Sequence, residues 1–309
     1  MACLQRTVPA GPYSCRCFPV IPCLLLLLSL LAAAVAQCAP GGELLVCGWD
    51  EVYILDLARD AEKVFSWKAA ERPELPASFK DKYRSTDECK AVPGGRILIT
   101  ASSDGIALVD RATRRTLFWG LCANAHSADL LPGERIAVAC SVREQGGNRL
   151  AIFDARTPGK EIYSTELYSG HGALWDEQRK LLWALSGKDL RAYALVNWDS
   201  ARPSLELKAS YPLPGGGGHE LSASGPSTLN VSASRDVWRF DRDRREFTPH
   251  PQLAGMRDIK SASVDPGTGR LAFTQGESPN WWTSKIRFRN PDGILERAGE
   301  RLYKVRWVQ

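Results

Sequence analysis

The sequence predicts an all-β fold, a six-bladed β-propeller of four-stranded antiparallel blades, and three observations predict it. First, a hairpin pattern recurs along the chain: an apolar run, a tight turn and a second apolar run. It is clearest in residues 124–140, where the two runs meet at Pro132-Gly133. Aligned on the polar residue that opens the second run, Arg135 matches Arg96, Lys180, Thr228 and Arg270, at intervals of 39, 45, 48 and 42 residues. Four short strands in each such interval is the period of a propeller blade. Second, no stretch of ten or more residues sustains a helical period. Third, the first repeat lacks its innermost strand, while residues 302–308, LYKVRWV, read as a strand to spare. A ring closed by its C-terminal strand accounts for both, and closure removes the sheet edges that invite aggregation.

Taken in order, residues 1–36 are expected to be an export signal. An apolar run of 14 residues, 23–36, follows a leader carrying Arg6 and Arg16 and ends in Ala34-Val35-Ala36. It is too short to span a bilayer comfortably, so no membrane span is expected in the mature chain. Acylation at Cys38 is the rival reading, and Gln37 is a poor neighbour for it. Residues 37–42 form a short segment and 43–309 the propeller. In the first blade, runs 43–47 and 52–57 flank Gly48-Trp49-Asp50, a hairpin signature, and 64–67 supplies a third strand. Residues 69–86 are proline-rich and polar and read as a long surface loop. Blades two to six open near residues 87, 126, 171, 219 and 260, and the glycine run 215–218 separates the fourth from the fifth.

The composition bounds the partners. A chain of 309 residues with 44% hydrophobic residues can build a sizeable core, and its net charge of +5 is scattered. No basic stripe with interleaved aromatics occurs, which argues against nucleic acid. A closed ring is expected to be a monomer. Of nine cysteines, Cys38, Cys47, Cys89, Cys122 and Cys140 survive removal of the signal, and none forms a CxxC. Cys122 and Cys140 bracket the strand pair of one repeat and could bridge, although burial as small hydrophobes is the commoner outcome.

The functional clue lies nine residues before each aligned position, where Asp87, His126, His171, His219 and Ser261 stand. Three of the four histidines therefore share one place in consecutive repeats, and only His250 falls outside the register. In a propeller that place is the start of the innermost strand, at one mouth of the central channel. Neutral imidazoles with a carboxylate, Asp87, suit Zn, Fe or Mn with positions open to water or substrate. Only neutral imidazole binds, so uptake is expected to weaken as pH falls through about 6.5. The alternative is that each histidine caps its strand by bonding a neighbouring loop. The same face should carry Arg235 and the loop 275–283, QGESPNWWT. There Trp281 and Trp282, beside Gln275, Glu277 and Asn280, suit sugar stacking or a protein contact. Glu220 follows His219, and Arg257, Asp258 and Lys260 enter the sixth blade; any could supply acid–base chemistry, without a spacing that singles it out.

This blade pattern resembles WD-repeat and related propellers, and more specifically exported bacterial propellers of unknown function. The likeness covers nearly all of residues 43–309 and implies fold far more than activity. It departs from WD repeats in that no blade ends in Trp-Asp. The Gly170-His171 pair looks like that family's Gly-His, yet His171 stands closer to the second strand. The histidine set is also similar to that of exocytoplasmic propellers that degrade uronic-acid oligosaccharides and hold a divalent metal on the axis. That similarity implies a small-molecule or oligosaccharide ligand outside the membrane. Two classes follow: a metal site that binds or acts on carbohydrate, or a non-catalytic scaffold whose structural histidines support a protein partner.

Overall fold

The structure, a computed structural model, describes residues 42–308. The expected export signal and Cys38 lie outside them. Six four-stranded antiparallel sheets form the blades, each ordered outward from the axis. Blade one uses Lys304–Trp307 as its inner strand, followed by Glu43–Gly48, Glu51–Asp56 and Glu62–Trp67. Blade two runs Thr86–Val92, Arg96–Ala101, Gly105–Asp110 and Thr116–Leu121. Blade three runs Ala125–Leu131, Arg135–Cys140, Arg149–Asp154 and Glu161–Glu166. Blade four runs Gly172–Asp176, Leu181–Leu185, Asp189–Val196 and Ser204–Pro212. Blade five runs Glu220–Ala223, Thr228–Ser232, Val237–Asp241 and Glu246–Pro249. Blade six runs Ile259–Val264, Leu271–Gln275, Lys285–Arg289 and Gly293–Glu296. The ring closes as the sequence predicts, with Leu44–Cys47 paired antiparallel to Lys304–Trp307.

The second strands are apolar on both faces because each blade is covered on both sides. Ile97 and Ile99 of blade two turn toward Leu45, Ile54 and Trp67 of blade one, while Leu98 and Leu108 turn toward Val138 and Phe153 of blade three. The same alternation fills the interfaces between blades three and four, four and five, five and six, and six and one. Period-2 patterning thus serves two interfaces at once, which is why these strands read as continuous apolar runs. Where the inner strands of blades four and five meet at residue 172, only glycine fits. A Cβ on Gly172 would stand 2.5 Å from the Leu221 Cβ of the next blade.

Around the axis the inner strands supply a polar layer instead of an apolar one. Glu88 of blade two and Glu220 of blade five meet Lys304 and Arg306 of the closing strand, all four side chains shut off from solvent or nearly so. Lys304 Nζ lies 3.3 Å from Glu88 and 3.4 Å from Glu220. The Arg306 guanidinium reaches Glu88 at 2.9 Å and Glu220 at 2.7 Å. Burial alone would raise the Glu88 pKa, but Arg306 and Lys304 outweigh it and hold the carboxyl down at about 2. Ser127 also donates to Glu88 at 2.9 Å.

Two expectations need correction. Residues 69–86 are not simply a surface loop. They include one α-helical turn, Ala77–Lys80, and bury Leu75 and Tyr83, whose hydroxyl donates to Ile106 O at 2.7 Å. Cys122 and Cys140 are bonded to each other and are not two separate small hydrophobes. The bridge links the end of blade two to blade three, while Cys47 and Cys89 are buried free thiols. Among the described residues no helix is long and apolar enough to cross a membrane.

Arg306→Met should destabilise the ring by about 3–5 kcal/mol, because two buried carboxylates are left with one ammonium. Urea unfolding measures this, and a midpoint equal to wild type would show that the buried ion pairs do not hold the closure.

Candidate functional site

One residue from each blade reaches the same mouth of the channel, and a repeated backbone device aims it there. In blades two, three and six the inner strand carries a bulge, and the extra residue is Asp87, His126 or Lys260. A bulge leaves one residue outside the ladder and turns its side chain. His171 and His219 stand one residue ahead of the inner strands of blades four and five, their N–H groups bonded to Leu185 O and Ser232 O. Tyr303 precedes the closing strand and donates its N–H to Cys47 O. The sixth-blade position is therefore Lys260, not Ser261, whose hydroxyl is spent between Thr274 and the Val305 N–H.

Four of these side chains share a second feature. Two residues earlier stands a left-handed residue: Asn124 (φ 56°), Ser169 (φ 49°), Gly217 (φ 68°) or Asp258 (φ 58°). Asn, Asp and Gly tolerate that conformation best, and the turn brings the preceding carbonyl beside the following ring. His126 Nδ1 lies 3.2 Å from Asn124 O, and His171 Nδ1 lies 2.9 Å from Ser169 O. Both rings must then carry the proton on Nδ1, which leaves the Nε2 lone pair available.

The predicted set does come together. The His126 and His171 rings are 4.4 Å apart between centroids, and His171 and His219 are 5.0 Å apart, both edge to face. His126 Nε2 stands 3.9 Å from the Asp87 carboxylate, which also accepts the Ser102 N–H. Tyr303 lies 6.2 Å from His126. His219 Nδ1 is buried without a hydrogen-bond partner. As the rings stand, no three His, Cys, Asp or Glu side chains among the described residues form a ready metal-holding group.

Burial governs the protonation of this cluster. It pushes Asp87 up to about 7, against the Ser102 hydrogen bond and the Lys304 charge. It pushes His126 down to about 4 and His219 to about 2, with Lys304 and Lys260 adding repulsion. His171 is lowered well below the usual imidazole range, first by burial and then by its neighbour His126. The mouth is therefore lined with neutral imidazoles at neutral pH, and the group that titrates near neutrality is the Asp87 carboxyl. Imidazole protonation thus falls below the ordinary value of about 6.5.

The 275–283 loop contributes in part. Trp281, 43% exposed, stacks on Trp49 at 5.4 Å with an interplanar angle of 16° and meets Tyr303 edge-on at 5.5 Å. Trp282 abuts Trp49, and Arg301 lies over both Trp49 and Trp282. An aromatic wall thus runs from the rim through Trp281 and Tyr303 to His126. The other loop residues serve the loop itself. Gln275 donates to Arg257 O, Glu277 accepts from Thr283, and the Asn280 N–H bonds Glu277 O. Arg235 stays exposed on the rim.

A sequence profile settles the kinship, since it matches residues 50–309. The chain belongs to the family of unknown function DUF6528. No curated protein matches it. A chain in the crystal structure of a mitotic checkpoint complex is similar over 79% of this chain and 69% of its own, with a TM-score of 0.53 and 10% identity. At that identity the likeness shows the propeller fold of this DUF6528 member and nothing of its activity. Tyr303, Lys260 and Trp49 belong to the site although no spacing marked them. A positive-φ residue type followed two places later by His or Lys, as in Asn124-Ala125-His126 and Asp258-Ile259-Lys260, is the signal that finds Lys260.

The unfolded chain's histidines bind protons near pH 6.5, but the buried ones do not until far lower. Acidification below that value therefore favours unfolding. Asp87 works the other way, because its folded carboxyl keeps a proton up to about 7 and the unfolded one releases it near 4. With His250 also held near 4, four depressed histidines outweigh it. Thermal unfolding at about pH 5 should occur at a lower temperature than at pH 7, and His171→Asn should remove about one proton from that dependence. An unchanged dependence would contradict the burial of a neutral ring.

Proposed function

We propose that this mouth is a transition-metal site, for Zn, Mn or Fe, held by His126, His171, His219 and Asp87. The observation that supports it most is the state of the ring nitrogens. Two imidazoles have Nδ1 committed to backbone carbonyls, the arrangement that fixes the tautomer of a metal-binding histidine and frees Nε2. The third has a buried nitrogen with no partner, which costs free energy unless something binds it. Ligation needs the edge-to-face rings to turn toward one point between them. Lys260 and Tyr303 complete the rim of the site with a cation and a hydroxyl.

Beside the metal, the wall formed by Trp281, Trp49 and Tyr303 offers an aromatic face to a sugar ring. A hydroxylated or oligosaccharide ligand outside the membrane is the reading this wall supports. Export through residues 1–36 belongs to the same reading, and the Cys122–Cys140 bridge supports it, since disulfides persist in oxidising compartments. A second reading, that the rings cap the inward turns of a protein-binding scaffold, is favoured by the same Nδ1–carbonyl bonds.

Protein purified without a histidine tag should carry about one equivalent of metal by elemental analysis, and His171→Ala should lose it while keeping its circular dichroism. Retention should weaken as pH falls below about 7, when the Asp87 carboxyl gains its proton, and Asp87→Asn should flatten that dependence. Wild-type protein that binds no Zn, Mn or Fe on dialysis would leave the capping role standing alone.

A further inference from the structure

The ion pairs of Glu88, Glu220, Lys304 and Arg306 divide the channel, and beyond them it opens again at the opposite mouth. There lies a cavity of about 370 Å³ lined by all six inner strands. The inward positions follow the period of two: two residues past Glu88, Ser127, Ala173, Glu220, Ser261 and Lys304 come Lys90, Asp129, Trp175, Ser222, Ser263 and Arg306. This layer differs chemically from the histidine mouth. Its Arg306 is already matched by Glu88 and Glu220. Its other two charges are opposite in sign and unpaired, since neither Lys90 nor Asp129 has a counter-ion within 4 Å among the described residues.

Their hydrogen-bonding capacity is largely unspent. Lys90 Nζ uses one N–H, on Ala173 O at 2.6 Å. The Asp129 oxygens accept one backbone N–H each, from Leu130 at 2.9 Å and Trp175 at 2.8 Å. Each oxygen keeps a lone pair. Ser263 Oγ accepts the Trp307 N–H at 3.0 Å and still has its own proton to give. Trp175 is pinned by its Nε1 bond to Glu177 at 2.7 Å, so an aromatic ring is held ready at the side of the cavity.

We propose that this opposite mouth is a second binding site, for a neutral polyhydroxylated ligand of about monosaccharide size. Adjacent free donors and acceptors match hydroxyl groups, each of which gives one hydrogen bond and takes others. The cancelling charges of Lys90 and Asp129 favour an uncharged ligand over an anion or a cation. The Trp175 face receives the C–H side of a sugar ring, and the volume lies within the range of small-ligand pockets. The ion pairs that close the channel keep this site separate from the histidine mouth.

The test is calorimetric titration of the full chain, stripped of metal, with D-glucose, D-galactose, D-mannose and myo-inositol, and with glucuronate and glucosamine as charged counterparts. At least one neutral compound should bind more tightly than the charged ones and change the tryptophan fluorescence. Lys90→Met and Asp129→Asn should each weaken binding about tenfold or more. His171→Ala should leave it unchanged, which separates this site from the metal mouth. If Asp129→Asn fails to fold, Lys90→Met and Trp175→Leu carry the comparison. Absence of binding by every neutral compound at millimolar concentration overturns the proposal. So does tighter binding of a charged counterpart, or binding that survives Lys90→Met and Trp175→Leu.

Discussion

The structure depends on the four buried charges at the centre of the ring. Glu88 and Glu220 come from blades on different sides of the channel, and Lys304 and Arg306 come from the strand that closes it. Hydrophobic interfaces hold each blade to its neighbours, but such contacts are local and would serve an open arc almost as well as a ring. The ion pairs act across the axis. They fix the register of the closing strand against two other blades, a specificity that apolar packing with its tolerance for slips supplies less well. They also fill the channel with matched charge, so that no buried carboxylate is left exposed to the neutral cluster above it.

That arrangement explains the electrostatics of the histidine mouth. Glu88 is adjacent in sequence to Asp87, yet the two carboxyls behave oppositely: Glu88 is held ionised by Arg306 and Lys304, while Asp87, one bulge away, faces rings and a tyrosine. The charges of Lys260 and Lys304 act on the rings in addition to burial and oppose imidazolium. The outcome is three uncharged imidazoles gathered in a largely buried cup, which isolated histidines on a surface would not form.

Much of this was legible in the chain. The hairpin repeat and the spare strand 302–308 fixed blade number and closure because period-2 patterning and turn chemistry are local properties. The shared place of Asp87, His126, His171 and His219 was legible for the same reason. Lys260 was misplaced by one residue because the turn between Val264 and Leu271 is longer than the one between Leu131 and Arg135. Counting nine back from Arg270 therefore stops one residue short, at Ser261. The partners of Arg306 were not legible, since Glu88 and Glu220 lie 218 and 86 residues away and only ring geometry brings them together. The Cys122–Cys140 bridge was visible only as an option, because spacing gives no direction to a side chain.

Closure by Lys304–Trp307 also sets an order of events. A chain made from its N-terminus can pack blades two to six while the axis still lacks Tyr303, Lys304 and Arg306. Until those residues arrive, Glu88 and Glu220 face an open channel without their cations, and the histidine cup has a gap where the tyrosine belongs. This strand, made after blades two to six, therefore works as a completeness check. A chain cut short before it has neither a sealed axis nor a finished mouth.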